Sequence, residues 1–264
     1  MTHRLATAIV AASTLACIPA HAGVLATATL NDLRVQLFAL DPSPADAPSV
    51  SFEVTGGSLA RVVAAASGND PPVMASMSGG AAFAAVDASD SAGTGAGGSA
   101  RIDGDAFNGG AEVATSAHAD APGSQSEASA YLGDGDSYAT FTLSPHTALV
   151  ISMEADLSAA AGSAPDDYAI GSAELEFIGA RGDSSQESLA NALVAAGGLF
   201  GAANTLRENL TVSFVNPYDF AIDGTFFGGI DATAAAAVPE PAGAGLLLAA
   251  LAAMGAMRLR RRIS

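Results

Sequence analysis

Apolar side chains recur at every second position along much of this chain. Leu33, Val35 and Leu37 alternate with Arg34 and Gln36, and Val50, Phe52 and Val54 alternate with Ser51 and Glu53. A period of two puts one set on a buried face and the other in water, so both stretches predict half-buried strands. Between them the run Asp41-Pro-Ser-Pro-Ala-Asp-Ala-Pro predicts a rigid loop, because its prolines deny a helix its amide donors. The clearest alternation comes later. After Phe141 and Leu143 and the turn Ser144-Pro145-His146-Thr147, the residues Leu149, Ile151, Met153, Ala155 and Leu157 interleave with Val150, Ser152, Glu154 and Asp156. Ala173, Leu175 and Phe177 against Glu174 and Glu176 predict another strand, and Leu210, Val212 and Phe214 a further one. Asp223-Gly224, between two apolar runs, predicts a hairpin turn. Residues Ser184–Gly198 follow a different period. Polar residues open the segment, Leu189, Leu193 and Val194 share one helical face and glycines close it, so the pattern predicts a single helix.

Residues 64–130 lack this contrast, being built mostly of Ala, Gly, Ser and Asp. Two readings fit them: thin strands joined by Gly/Asp turns, or an insert partly disordered for want of apolar area. The alternation at Ala111–Ala117 favours the first. The body, residues 23–237, therefore reads as all-β, a jelly-roll-like antiparallel β-sandwich with one lateral helix.

Both ends of the chain depart from the body. Met1–Arg4 is a short basic stretch, Leu5–Ala16 is apolar, and Ala20 and Ala22 supply the small residues that signal peptidase requires, so residues 1–22 predict a signal peptide. A lipoprotein reading through Thr14-Leu15-Ala16-Cys17 stays open, although Thr14 stands where a branched aliphatic residue is usual. If the cut follows Ala22, the only cysteine leaves with the leader and the mature chain holds no disulfide. At the other end Pro239, Glu240 and Pro241 precede an uncharged run, Ala242–Met257, and then Arg258, Arg260, Arg261 and Arg262. As a helix the run reaches about 24 Å, slightly less than a hydrocarbon core, and the arginines fit the cytoplasmic side of the inner membrane.

In order and in length, residues 238–264 resemble the PEP-CTERM sorting signal of Gram-negative bacteria. The resemblance implies an exported protein held transiently in the inner membrane, cut near Pro239-Glu240-Pro241 by an exosortase-type membrane protease, and passed to the cell surface or to extracellular polysaccharide. Two stretches of the body, ATLNDLRVQLFALDPSPADAPSVSF and SYATFTLSPHTALVISMEADLSA, are similar to segments of exported PEP-CTERM proteins of unassigned function. They imply membership of a β-rich group and carry no catalytic residues.

Charge narrows the partners. All of the chain's 27 acidic residues but Glu240 fall in the body, where five arginines face them, a net charge of −21. Nucleic acid and anionic membrane surfaces are poor partners for such a surface. There is no lysine, and hence no Schiff-base chemistry and no P-loop lysine. Gly93-Thr-Gly95-Ala-Gly-Gly98 matches a dinucleotide fingerprint as a string, but no apolar strand precedes it and no helix follows, so it reads as a turn. His118 and His146 are the histidines left after leader removal, and no nucleophile elbow accompanies them. No catalytic residue is therefore assigned and no cofactor expected. The one soft candidate ligand is calcium, at the paired carboxylates Asp103 and Asp105, and Asp134 and Asp136, each pair set on a glycine turn. Short Asp-Gly turns hold themselves together by backbone bonds without any ion, and that is the favoured reading.

These features describe a non-enzymatic, tail-processed surface or matrix protein associated with exopolysaccharide. The alternative is a secreted sandwich that binds or acts on carbohydrate, with or without calcium. Absence of tryptophan weighs against the alternative. A cluster of Tyr131, Tyr138, Tyr168 or Tyr218 beside carboxylates would weigh for it.

Overall fold

A computed structural model describes residues 23–41, 47–53, 58–66, 71–79, 85–103, 112–132, 139–181 and 184–238. They form fourteen strands: β1 Val24–Ala39, β2 Val50–Glu53, β3 Leu59–Ala65, β4 Val73–Ser78, β5 Val86–Ala92, β6 Ala96–Asp103, β7 Glu112–Ala119, β8 Gln125–Tyr131, β9 Ala139–Leu143, β10 Thr147–Ala160, β11 Tyr168–Arg181, β12 Ser184–Ala196, β13 Ala203–Asn216 and β14 Ile222–Ala235. One six-stranded antiparallel sheet runs β13-β10-β1-β7-β6-β5. The second runs β12-β11-β14-β8-β3-β4, with β9 paired to the outer half of β14 and β2 to β9. The inward sets of the two sheets close on one another, so the all-β antiparallel expectation holds in its sandwich form.

Strand directions give the body two poles. β1 starts at the pole where β7 and β10 end, and β14 ends beside the start of β11 and β8. The described chain thus enters and leaves at one end, called here the terminal pole. Loops Leu40–Asp41, Ser144–His146 and Tyr218–Ala221 gather at the other, the far pole.

The predicted strands fall where their alternation put them. In β10, Leu149, Ile151, Met153, Ala155 and Leu157 are all buried, as are Ala173, Leu175 and Phe177 of β11 and Leu210, Val212 and Phe214 of β13. The described part of residues 64–130 is likewise ordered as thin strands, from β4 to β8. The Gly93–Gly95 stretch is the turn between β5 and β6, with Gly93 at φ 59°.

Two expectations fail. Ser184–Ala196 is a strand, not the predicted lateral helix, and the only helical element among the described residues is a single 3₁₀ turn, Gly198–Phe200. Ala192, Val194 and Ala196 face inward while Leu189, Asn191 and Leu193 face out, a period of two hidden because alanine is both the best helix former and a small apolar core residue. Continuous pairing with β11 from Ser184 to Ala196 overrides that local preference. Nor is Asp223-Gly224 a hairpin: β14 runs straight through it, pairing Asp223 with Thr142 and Gly224 with Phe141. A Cβ on Gly224 would stand 2.5 Å from Cζ of Phe141, so the glycine is there to admit a ring rather than to turn the chain.

Candidate functional site

The second sheet turns its other face to solvent, and the strand register fixes what stands beside what. Across β12, β11, β14 and β8 one row reads Asn191, Glu174, Gly229, Tyr131; the next reads Leu193, Ser172, Asp231, Ser129. On the far side of the first row, Leu189 and Glu176 align with Phe227. Glycine at 229 leaves a gap in the middle of the face. The rings of Tyr131 and Phe227 bend over it, with centroids 5.7 Å apart, so near that a Cβ on Gly229 would lie 2.7 Å from Cδ1 of Tyr131. Between these rings and the β12 side chains lies a trough of about 620 Å³, lined by Tyr131, Phe227, Asp231, Glu174, Asn191 and Leu193.

Its polar groups are held apart from the body's cations. The Tyr131 hydroxyl donates to Oδ1 of Asp231 at 2.9 Å, which fixes both side chains. Burial pushes the Tyr131 phenol up to about 12; a hydrogen bond with Ser129 opposes this, and the Asp231 charge reinforces it. Glu174 also titrates above the usual carboxylate range, first because it is partly desolvated and then because Glu176 and Asp231 repel its charge. Arg34, Arg101 and Arg207 are ion-paired elsewhere, with Asp32, Glu112 and Glu154. Arg61, on β3 opposite Ser129, lies two strands from Asp231, about 10 Å at ordinary strand spacing. Among the described residues no arginine is ion-paired with Glu174 or Asp231. Leu193 is 65% exposed and Leu189 49%, so an apolar rim meets solvent along β12.

The residues singled out from the sequence are placed unevenly. Asp103 ends β6 on the other sheet, exposed, beside an outward Arg101 that is bound to Glu112 at 2.6 Å. Asp105, Asp134 and Asp136 lie outside the described residues, as do Tyr138, Ala20, Ala22, Pro239, Glu240, Pro241, Ala242–Met257 and the four terminal arginines. Among the described residues no three His, Cys, Asp or Glu side chains converge as a metal site would need. His146, at φ 46°, bonds Asp219 through Nε2 at 2.7 Å in the far-pole loops. Among the described residues its ring bonds no serine, and the neighbouring Ser144 hydroxyl is instead shared with Thr147 and the Ser49 amide. Tyr218 stacks on Phe220 with ring centroids 5.3 Å apart, in a loop that Asn216 braces through three backbone carbonyls. Tyr168 stands exposed at the terminal-pole end of the trough's sheet.

Of the four tyrosines, Tyr131 alone among the described residues stands beside the two trough carboxylates; it is half-buried and its ring partner is Phe227, so the tyrosine cluster set as the mark of the alternative is not formed there. Alternation alone puts Glu174 and Glu176 on an outward face but carries no hint of Phe227 or Asp231. Asn191 and Leu193 were concealed by the helical reading of their strand. Compared with known protein families, curated proteins and solved structures, the chain matches none.

Proposed function

We propose that this chain is an exported surface or matrix protein without enzymatic activity, released by cleavage of a PEP-CTERM tail, whose jelly-roll-like body associates with extracellular polysaccharide. The observation that carries the reading is the way the body ends. The Ala236 amide donates to Ser124 O at 2.9 Å and the Ala237 amide to the buried carboxylate of Asp167 at 2.8 Å; Pro239-Glu240-Pro241 follows two residues later. A fold finished so close in sequence to the motif leaves no further domain segment between the body and the proposed cleavage site, which supports a cut that releases the body whole. The motif's prolines keep the apolar helix from propagating outward. Signal peptidase at Ala22 and an exosortase-type protease are the processing partners, and the inner membrane holds the precursor only until the second cut.

Association with carbohydrate is supported by the aromatic and acidic trough, whose Tyr131–Phe227 pair stands in for the missing tryptophan. Replacing Pro239, Glu240 and Pro241 by alanine tests the address. In a host with the sorting enzyme, the variant is expected to be exported yet kept full-length in the membrane fraction. Release of that variant at the wild-type mass would sink the reading.

A further inference from the structure

We infer that the trough on the outer face of the second sheet binds a sugar residue that carries a free amine, the ring lying against Tyr131 and Phe227 and the ammonium group between Glu174 and Asp231. This rests on the reading that the body meets extracellular polysaccharide, and it names the kind of polysaccharide.

Each wall of the trough excludes something. A pyranose has one face of C–H groups and a rim of hydroxyls; the Tyr131 and Phe227 rings supply the apolar surface for the former. Asn191, on the opposite wall, offers both a donor and an acceptor to the rim. Ser172 adds a hydroxyl that can give or accept, and the two carboxylates are acceptors only. Ionised Glu174 and Asp231 have no hydrogen to give, and Asp231 already receives one from Tyr131. A fully acetylated or neutral sugar would satisfy them only through its hydroxyls. An ammonium brings three donors and a positive charge to a place where Glu176 and Asp231 crowd Glu174 with charge of its own sign. The same field repels uronates and sulfated sugars: the body carries a net −21, and Arg61, the nearest cation on this face among the described residues, stands two strands from Asp231. A volume of about 620 Å³ lies within the range of small-molecule sites and suits a sugar unit or two.

The test uses the secreted protein and four soluble probes: a β-linked glucosamine oligomer, its N-acetylated counterpart, a galacturonate oligomer and oligolysine. Calorimetric titration is expected to find the glucosamine oligomer binding at least tenfold tighter than the acetylated one and the galacturonate not at all. The paired substitution Glu174→Gln with Asp231→Asn, which keeps size and an acceptor for the Tyr131 hydroxyl while removing both charges, should weaken glucosamine binding at least tenfold without lowering the melting temperature. Phe227→Leu should weaken it several-fold and act equally on the acetylated oligomer. Equal affinity for the acetylated and free-amine forms, tightest binding to oligolysine, or a paired variant that binds like wild type would each overturn the inference. Sedimentation with the native polysaccharide separates the two levels. Co-sedimentation without preference for amine leaves the broader reading standing and this one refuted, whereas failure to sediment with any polysaccharide removes both.

Discussion

The body is built of two halves that solve the same packing problem in opposite ways. Toward the far pole the sheets are held apart by rings: Phe141 packs edge-on against Phe214 at 5.1 Å and against Phe177 at 5.4 Å, and Phe177 against Phe226 at 5.2 Å. Toward the terminal pole the inward positions are Ala26, Ala28, Ala117, Ala119, Ala128, Ala169, Ala196, Ala232 and Ala234, all essentially inaccessible. There the sheets approach until main chains nearly touch. A Cβ on Gly171 of one sheet would come within 2.9 Å of Thr27 O on the other, and the Ser126 hydroxyl crosses the gap to Gly97 O at 2.8 Å. Large side chains gain stability from the area they remove from water, and small ones from close approach that leaves no void. The first half therefore depends on a few residues and the second on the absence of bulk.

That difference is breakable in both directions. The largest effect is expected from Phe177→Ala or Phe214→Ala, which empty the ring cluster and should cost about 3–5 kcal/mol in denaturant unfolding. Next comes Ala232→Leu in the thin half, where added methylenes have no space and about 1–3 kcal/mol should be lost. The same enlargement at an outward position such as Ala235 should cost almost nothing. Third, Asp167→Asn removes one acceptor from the pair that holds Ala164 N and Ala237 N, costing about 1 kcal/mol and releasing the Ala237 amide to hydrogen exchange before the rest of β14.

The smallest effect has the opposite sign. Glu174 holds its proton more tightly folded than unfolded, so its contribution is neutral below its unfolded pKa and becomes a cost as pH rises through the folded value. Glu174→Gln should thus stabilise the protein at pH 7, by less than about 0.5 kcal/mol for so exposed a group, and lose that advantage near pH 3. A melting-temperature series against pH reads this out. A variant less stable than wild type at pH 7 would mean that Glu174 is held by a partner rather than left to a ligand.

The two halves also differ in how much of them a reader of the sequence recovers. Leu149 to Leu157, Leu175, Phe177 and Phe214 alternate with polar residues strongly enough to declare both strand and inward face. Alanine declares neither. In Ala190 to Ala196 it mimics a helix, and across residues 64–130 it favours thin strands only weakly over a disordered insert, where the structure has β4 to β8. Asp223-Gly224 misled for a related reason, since a glycine that admits Phe141 looks locally like a glycine that turns a chain. The trough was invisible for a third reason. Tyr131, Glu174, Asn191 and Asp231 come from four strands, and only the register of the sheet makes them neighbours.

The central claim, that both ends of this chain are addresses removed from a folded body, meets its most direct test in the intact mass of the protein recovered from the medium or surface of its native host. The account predicts a species that begins at Gly23 and ends in the vicinity of Pro239-Glu240-Pro241, well short of the full 25.8 kDa and without the terminal arginines. A surface protein of full length, or one that has lost its leader but retains Arg258 to Arg262, would contradict it.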